Sequence, residues 1–187
     1  KYYLKKDKKT FFYPKDFQKI LEIAKEKQKY YLLLLINTGA RINEIRNVKK
    51  EDLDKDRKTI KLWITKVRAK LKEKRPSPRE IPVSTLFFNY IYKNITKYKI
   101  PSTSAVNQAI KKLCIKINLE NSQDFSAHNL RKTFGTWMLA LGIDGFKLAQ
   151  HLGHDAETLR RCYASPDIFN SEDKDRMREI LDDLPTR

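Results

Sequence analysis

The chain has 187 residues, enough for one well-packed domain and too few for an obvious second. Forty Lys and Arg against 23 Asp and Glu leave a net charge of +17, which excludes a neutral interaction scaffold and points to a polyanion, nucleic acid first; a solvated lysine-rich surface is the alternative. Two cysteines without metal-ligand spacing and a longest apolar run, YYLLLLI at 30–36, far below the roughly 18–20 residues that span a bilayer, predict a cytoplasmic chain without structural zinc or a membrane span.

Residues 1–13, KYYLKKDKKTFFY, mix lysines with aromatics at no helical spacing and are expected to be a linker into a domain covering 14–187. After Pro14, the residues Phe17, Ile20, Leu21 and Ala24 recur at helix spacing and predict an amphipathic helix to about residue 27. A second helix, 28–38, is apolar on most faces and belongs in the core. Thr38 and Gly39 end it, and Arg41 follows at once. An arginine beside residues committed to the core is expected to reach into a cleft. Glu44, one turn later, is either an ion-pair partner at i, i+3 or a support for that region.

The period then becomes alternating. Residues 59–65 read as a strand and 80–83 as its antiparallel partner. The connection, KVRAKLKEKRPSPR at 66–79, holds seven basic residues, one acid and two prolines, so it is expected to project as a basic loop suited to a DNA groove through Lys66, Arg68, Lys70, Lys72, Lys74 and Arg75. Ser84 caps a helix to about 97, and Pro101 and Ser102 introduce another with Ala105, Val106, Ala109, Ile110, Leu113, Cys114 and Ile117 at core spacing, which gives Cys114 a packing role. The fold class that results is α+β, mainly helical with a small antiparallel sheet.

After a loop at 118–125, Ser126 caps the helix that carries His128 and Arg131. Their spacing of three puts both on one helix face, where they can converge on a single atom, and such a pair suits a phosphate. Phe134, Trp137 and Met138 pack the rest of that helix. The helix GFKLAQHL closes at Gly153, and Asp155 N-caps the next, which strands His154 in the turn between them. His151 reads as a helix-end residue favoured by the dipole. Tyr163 follows two and a half turns into the next helix, with Pro166 ending it. The final helix, 171–184, has one apolar stripe of Met177, Ile180, Leu181 and Leu184, which must cover either its own domain or a neighbouring protomer.

The motifs TGARINEI at 38–45, HNLR at 128–131 and LGH at 152–154, with a tyrosine nine residues after that histidine, occur in an order that resembles the catalytic domain of tyrosine recombinases, the phage and archaeal integrase superfamily. The resemblance implies that fold, preceded by a separate DNA-binding domain. It implies two phosphate-clamping arginines, Arg41 and Arg131, with Glu44 in support. Tyr163 would be the nucleophile that forms a 3′-phosphotyrosyl link. Lys66 would be the general acid, with Lys70 and Lys72 as competitors, while His128 would assist proton transfer and His154 would bind the phosphate. Double-stranded DNA and a homo-oligomer, a tetramer on DNA, are the partners implied, with no cofactor and no metal. A type IB topoisomerase-like enzyme and a basic DNA-binding module without catalysis are the alternatives. The absence of an acidic cluster argues against a two-metal nuclease.

Overall fold

The computed structural model describes residues 10–63, 78–153 and 168–181. Helix α1 (Pro14–Ile23) starts on a proline, whose missing N–H is harmless in a first turn, and buries Phe17 and Ile20. The apolar stripe predicts a continuous helix to 27, but the chain is extended at Ala24 (φ −73°, ψ 141°). It restarts as α2 (Glu26–Thr38), where Gln28 Oε1 accepts the Lys25 N–H at 2.9 Å and so satisfies a donor exposed by the break. From Tyr30 to Thr38 every residue of α2 except Leu33 is buried, and the helix packs along α6 at the centre of the core.

Part of the expected linker belongs to that core. Phe12 is buried, its N–H donates to Thr133 Oγ1 at 2.9 Å, and its carbonyl accepts the Trp137 indole N–H at 3.0 Å. The aromatic spacing there, irregular as a helix, is that of an extended strap laid across α6. Residues 10–13 are therefore anchored, a correction to the linker reading for that portion.

Thr38 holds the end of α2 by donating its hydroxyl to Leu34 O at 2.6 Å while accepting the Ala40 N–H at 3.2 Å. Gly39 then adopts left-handed backbone (φ 60°), and a short helix, α3 (Ile42–Arg46), begins after Arg41. The sheet contains β1 (Leu53–Asp54), β2 (Thr59–Trp63) and β3 (Pro78–Pro82), antiparallel in that order. Ile60 pairs with Ile81 and Leu62 with Arg79. β1 is too short to show alternation, and β3 starts two residues earlier than expected, which moves Arg79 from the loop into the strand.

Helix α4 (Thr85–Asn94) is capped by Ser84, whose Oγ accepts the Phe87 N–H at 3.0 Å. Helix α5 (Thr103–Lys116) is capped likewise by Ser102 and buries Val106, Ile110, Leu113 and Cys114, while Ala105 on the rim is exposed. Cys114 is a packing residue, and burial pushes its thiol up to about 12. Helix α6 (Ala127–Ala140) follows Ser126, but the cap differs from expectation: Asn129 Oδ1 accepts both the Ser126 N–H (2.8 Å) and its hydroxyl (2.7 Å). Helix α7 (Gly145–Leu152) is capped by Asp144 and closes, as expected, at left-handed Gly153 (φ 64°). Helix α8 (Ser171–Leu181) buries Met177, Ile180 and Leu181 on its own domain, against α1, α2 and α6, with Asn37 Nδ2 donating to Ile180 O at 3.3 Å. Among the described residues no helix is long and apolar enough to cross a membrane.

A Cβ on Gly39 would lie 2.4 Å from Phe134 Cδ1 and 2.9 Å from Leu152 Cδ2, at a positive φ as well. Gly39→Ala is expected to destabilise the fold by about 2–4 kcal/mol from overpacking and left-handed strain together. Gly142→Ala (φ 89°), where nothing lies within 4 Å of the added carbon, should lose only the strain, about 1 kcal/mol. Urea unfolding of the two variants checks the difference; equal losses would contradict it.

Candidate active site

Arg131 sits one turn into α6 and is 1% exposed, so its charge must be satisfied inside the protein. Nη1 donates to Gly39 O at 2.7 Å and Nη2 donates to Leu152 O. Those carbonyls belong to the C-terminal ends of α2 and α7, where the helix dipoles favour a cation. One guanidinium therefore joins three helices and fixes its own plane. His128, three residues earlier on the same face, is exposed.

Arg41 is the residue before α3. Its side chain is 32% exposed, and Nη1 pairs with Glu44 Oε1 at 2.9 Å. Glu44 Oε2 accepts the Arg41 N–H at 2.9 Å, which caps α3 from its third residue. Glu44 thus makes the i, i+3 ion pair and a cap bond at once, and its carboxylate is fully buried. Arg41, Arg131 and His128 line one cleft of about 390 Å³, together with Ala40, Ile42 and Ala127. Among the described residues no three His, Cys, Asp or Glu side chains gather in metal-binding geometry, and Glu44 here serves guanidinium groups.

Two residues around this cleft were given no role, or the wrong one, by sequence reasoning. Arg79 Nη2 donates to Glu44 Oε2 at 2.6 Å, and its side chain is only 13% exposed. It lies on the inward face of β3 with Ile81, opposite buried Leu62. Alternation from Ile81 and Val83 carried that signal, but starting the strand at Glu80 concealed it. Burial draws the Arg79 guanidinium below its ordinary value, Glu44 pulls it back up and Arg41 pushes it down, yet an arginine remains charged throughout the working range.

His151 corrects the dipole reading, which needs a charged ring at the surface. Its Nε2 lies 2.9 Å from Thr38 O, so that nitrogen carries the proton, and the ring stacks on Phe134 with centroids 5.2 Å apart. Burial is the largest influence and lowers its pKa from 6.5 to about 4; the bond to Thr38 opposes this, and Arg79 and Arg131 add to it. The ring is neutral at pH 7. Its position three residues after buried Leu148 placed it on the apolar stripe of α7. Lys66, Arg68, Lys70, Lys72, Lys74, Arg75, His154, Cys162 and Tyr163 lie outside the described residues.

A depressed histidine pKa makes stability rise with pH between the folded and unfolded values, because the unfolded chain binds the extra proton there. The contribution of His151 is complete above pH 6.5 and is lost on acidification toward about 4, at most roughly 3 kcal/mol. Urea unfolding at pH 4 and pH 7 is expected to show a steeper acid loss in the natural chain than in His151→Leu. Parallel losses in the two would rule the assignment out.

A family model described as the phage integrase family matches residues 10–168. A tyrosine recombinase from Pseudothermotoga lettingae is 27% identical over 183 residues, covering 91% of this chain and 60% of that protein. The chain therefore spans about 60% of the length of that curated relative. The Tn1549 transposon integrase, solved in complex with a circular intermediate DNA, superposes with a TM-score of 0.67 at 16% identity over 91% of this chain and 65% of that one. The XerA recombinase gives 0.65 at 21% identity over 91% and 64%, and the integrase from mycobacterium phage Brujita 0.59 at 22% identity over 93% and 57%. The mainly helical fold with its three-stranded sheet is that of these recombinases. With the model matching most of its length, the chain belongs to the phage integrase family.

Proposed function

We propose that this chain carries the catalytic domain of a tyrosine-type site-specific DNA recombinase, an integrase of a mobile element, which cleaves and rejoins strands through a 3′-phosphotyrosyl intermediate at Tyr163. The observation that carries the reading is the convergence of Arg41, Arg131 and His128 on one cleft, from segments ninety residues apart, in a member of the phage integrase family. A phosphodiester in that cleft meets guanidinium groups held in place before it arrives, which is the condition for stabilising charge that builds on its non-bridging oxygens.

In this mechanism the Tyr163 oxygen attacks phosphorus, and the 5′ oxygen leaves with a proton from Lys66, for which Lys70 and Lys72 are the alternatives. His128 takes part in proton transfer to or from the tyrosine at the cleft rim, and His154 hydrogen-bonds the phosphate. The covalent link conserves the energy of the broken bond, so a 5′ hydroxyl of another strand reverses the step without metal or ATP. The partner is a double-stranded attachment site, bound in part by the basic segment from Lys66 to Arg75, and the working form is a homo-oligomer on DNA in the cytoplasm of a prokaryotic host. The relatives support the DNA partner: the Tn1549 integrase is solved with a circular intermediate DNA, and the XerH recombinase with its difH substrate. A DNA-binding region joined through the first residues to a catalytic domain, itself anchored from Thr10 onward, completes the proposed layout.

Incubating the protein in EDTA with a nicked duplex that carries its candidate attachment site is expected to yield a denaturation-resistant protein–DNA adduct. Tyr163→Phe should abolish the adduct while leaving DNA binding nearly unchanged; substantial adduct from that variant would refute the nucleophile. Arg41→Ala should slow adduct formation about a hundredfold or more, roughly 3 kcal/mol of lost transition-state stabilisation. DNA affinity should fall steeply as salt rises, and a flat response would count against backbone contacts.

A further inference from the structure

Arg79 has no part in the chemistry above, yet it shares a buried carboxylate with an arginine that does. Glu44 has two oxygens. Oε1 takes Arg41 Nη1 at 2.9 Å, and Oε2 takes Arg79 Nη2 at 2.6 Å together with the Arg41 main-chain N–H at 2.9 Å. An arginine alone with a carboxylate prefers the two-point fork, in which two of its nitrogens face both oxygens. Arg79 shares the second oxygen with the Arg41 main-chain N–H, so two donors already compete there with any second guanidinium nitrogen of Arg41. Arg41 is left with a single side-chain hydrogen bond to Glu44 while lining the cleft.

Charge leads to the same place. Glu44 alone would cancel Arg41; with Arg79 present, the three guanidiniums of Arg41, Arg79 and Arg131 exceed the one carboxylate by two positive charges beside a cleft. Glu44 is the hydrogen-bond and ion-pair partner of the Arg79 side chain among the described residues. Arg79 Nε and Nη1 are buried with no hydrogen-bond partner among the described residues, and Nη1 lies 3.4 Å from where a Cβ of Gly153 would stand.

We propose that Arg79 is a positioning residue for DNA cleavage: it holds Glu44 so that the Arg41 guanidinium stays turned toward the cleft and keeps its charge for the phosphate. This rests on the recombinase reading of the same cleft. Arg79 acts through Glu44 and Arg41.

The test uses the full chain and four variants, Arg79→Gln, Arg79→Lys, Glu44→Gln and the double Glu44→Gln/Arg79→Gln. Adduct formation on the nicked duplex and equilibrium DNA affinity are measured separately, and the Arg41 Nε–H signal is followed by NMR without DNA, assigned by its loss in Arg41→Lys. Arg79→Gln should slow adduct formation about tenfold or more with affinity within about threefold, and Arg79→Lys should recover part of the rate. In the Glu44→Gln background, removing Arg79 should add little, because its route is already gone. The Arg41 signal should shift in Arg79→Gln as the fork closes. An Arg79→Gln variant with the natural adduct rate and an unmoved Arg41 signal overturns the proposal, as do additive losses in the double variant. Should Arg79→Gln fail to fold, the double variant, which removes both buried charges, carries the comparison with Glu44→Gln. Absence of adduct from the natural chain would count against the recombinase reading, and the Arg41 signal would still decide the role of Arg79.

Discussion

The structure depends on one buried cation held between two helix ends. Arg131 donates to Gly39 O after α2 and to Leu152 O at the close of α7, and its own helix, α6, runs through the core. Desolvating a guanidinium is unfavourable, and the offset here comes from carbonyls that would otherwise be unsatisfied at the helix C-termini. Both ends lead directly into segments the proposed chemistry needs. Arg41 comes two residues after Gly39, and the turn before His154 begins at Gly153. The arginine proposed to bind phosphate thus also ties the ends of α2 and α7 to α6.

Around it the core is built to tolerate no slack. Gly39 lies against Phe134 and Leu152 with no room for a methyl group, and His151 stacks on the same Phe134 while bonding to Thr38 O. Neutral His151 next to Arg79 and Arg131 avoids adding a further buried positive charge. Glu44 performs the opposite service as a buried anion, surrounded by three donors from Arg41 and Arg79. Cations in excess of anions around the cleft, with guanidinium groups already oriented, are the preorganised arrangement on which the proposed phosphate binding rests.

Much of this was legible in the residues. Periodicity located α1, α5, α8 and the β2–β3 pair, because each has an apolar face wide enough to stand out from its neighbours, while α2 stood out as apolar on most faces. Gly153 marked the end of α7 and Ser84 the start of α4 through the backbone and hydrogen-bonding needs of a helix end. The misreadings have a common physical origin. The stripe of α1 continues in pattern past Ala24, yet the chain is extended there and restarts as α2 at Glu26. Phe12 looks like part of a lysine-rich tether until Thr133 and Trp137, more than a hundred residues away, bond to its backbone.

By itself the sequence determined the local structure and the chemical types available: which segments coil, which alternate, and that Arg41, Glu44, His128 and Arg131 stand in the pattern of the integrase family. Spacing along one helix was enough to put His128 and Arg131 on a common face. Tertiary structure decided how Arg41 meets them at one cleft, that Met177, Ile180 and Leu181 of α8 pack against α1, α2 and α6, and that Arg79 and His151 lie beside the cluster. Those outcomes rest on contacts between residues tens of positions apart, Glu44 with Arg79 and Thr38 with His151 among them. A charge on a short strand or at a helix end carries no local sign of which buried partner it will meet, because that partner is chosen by how the elements pack.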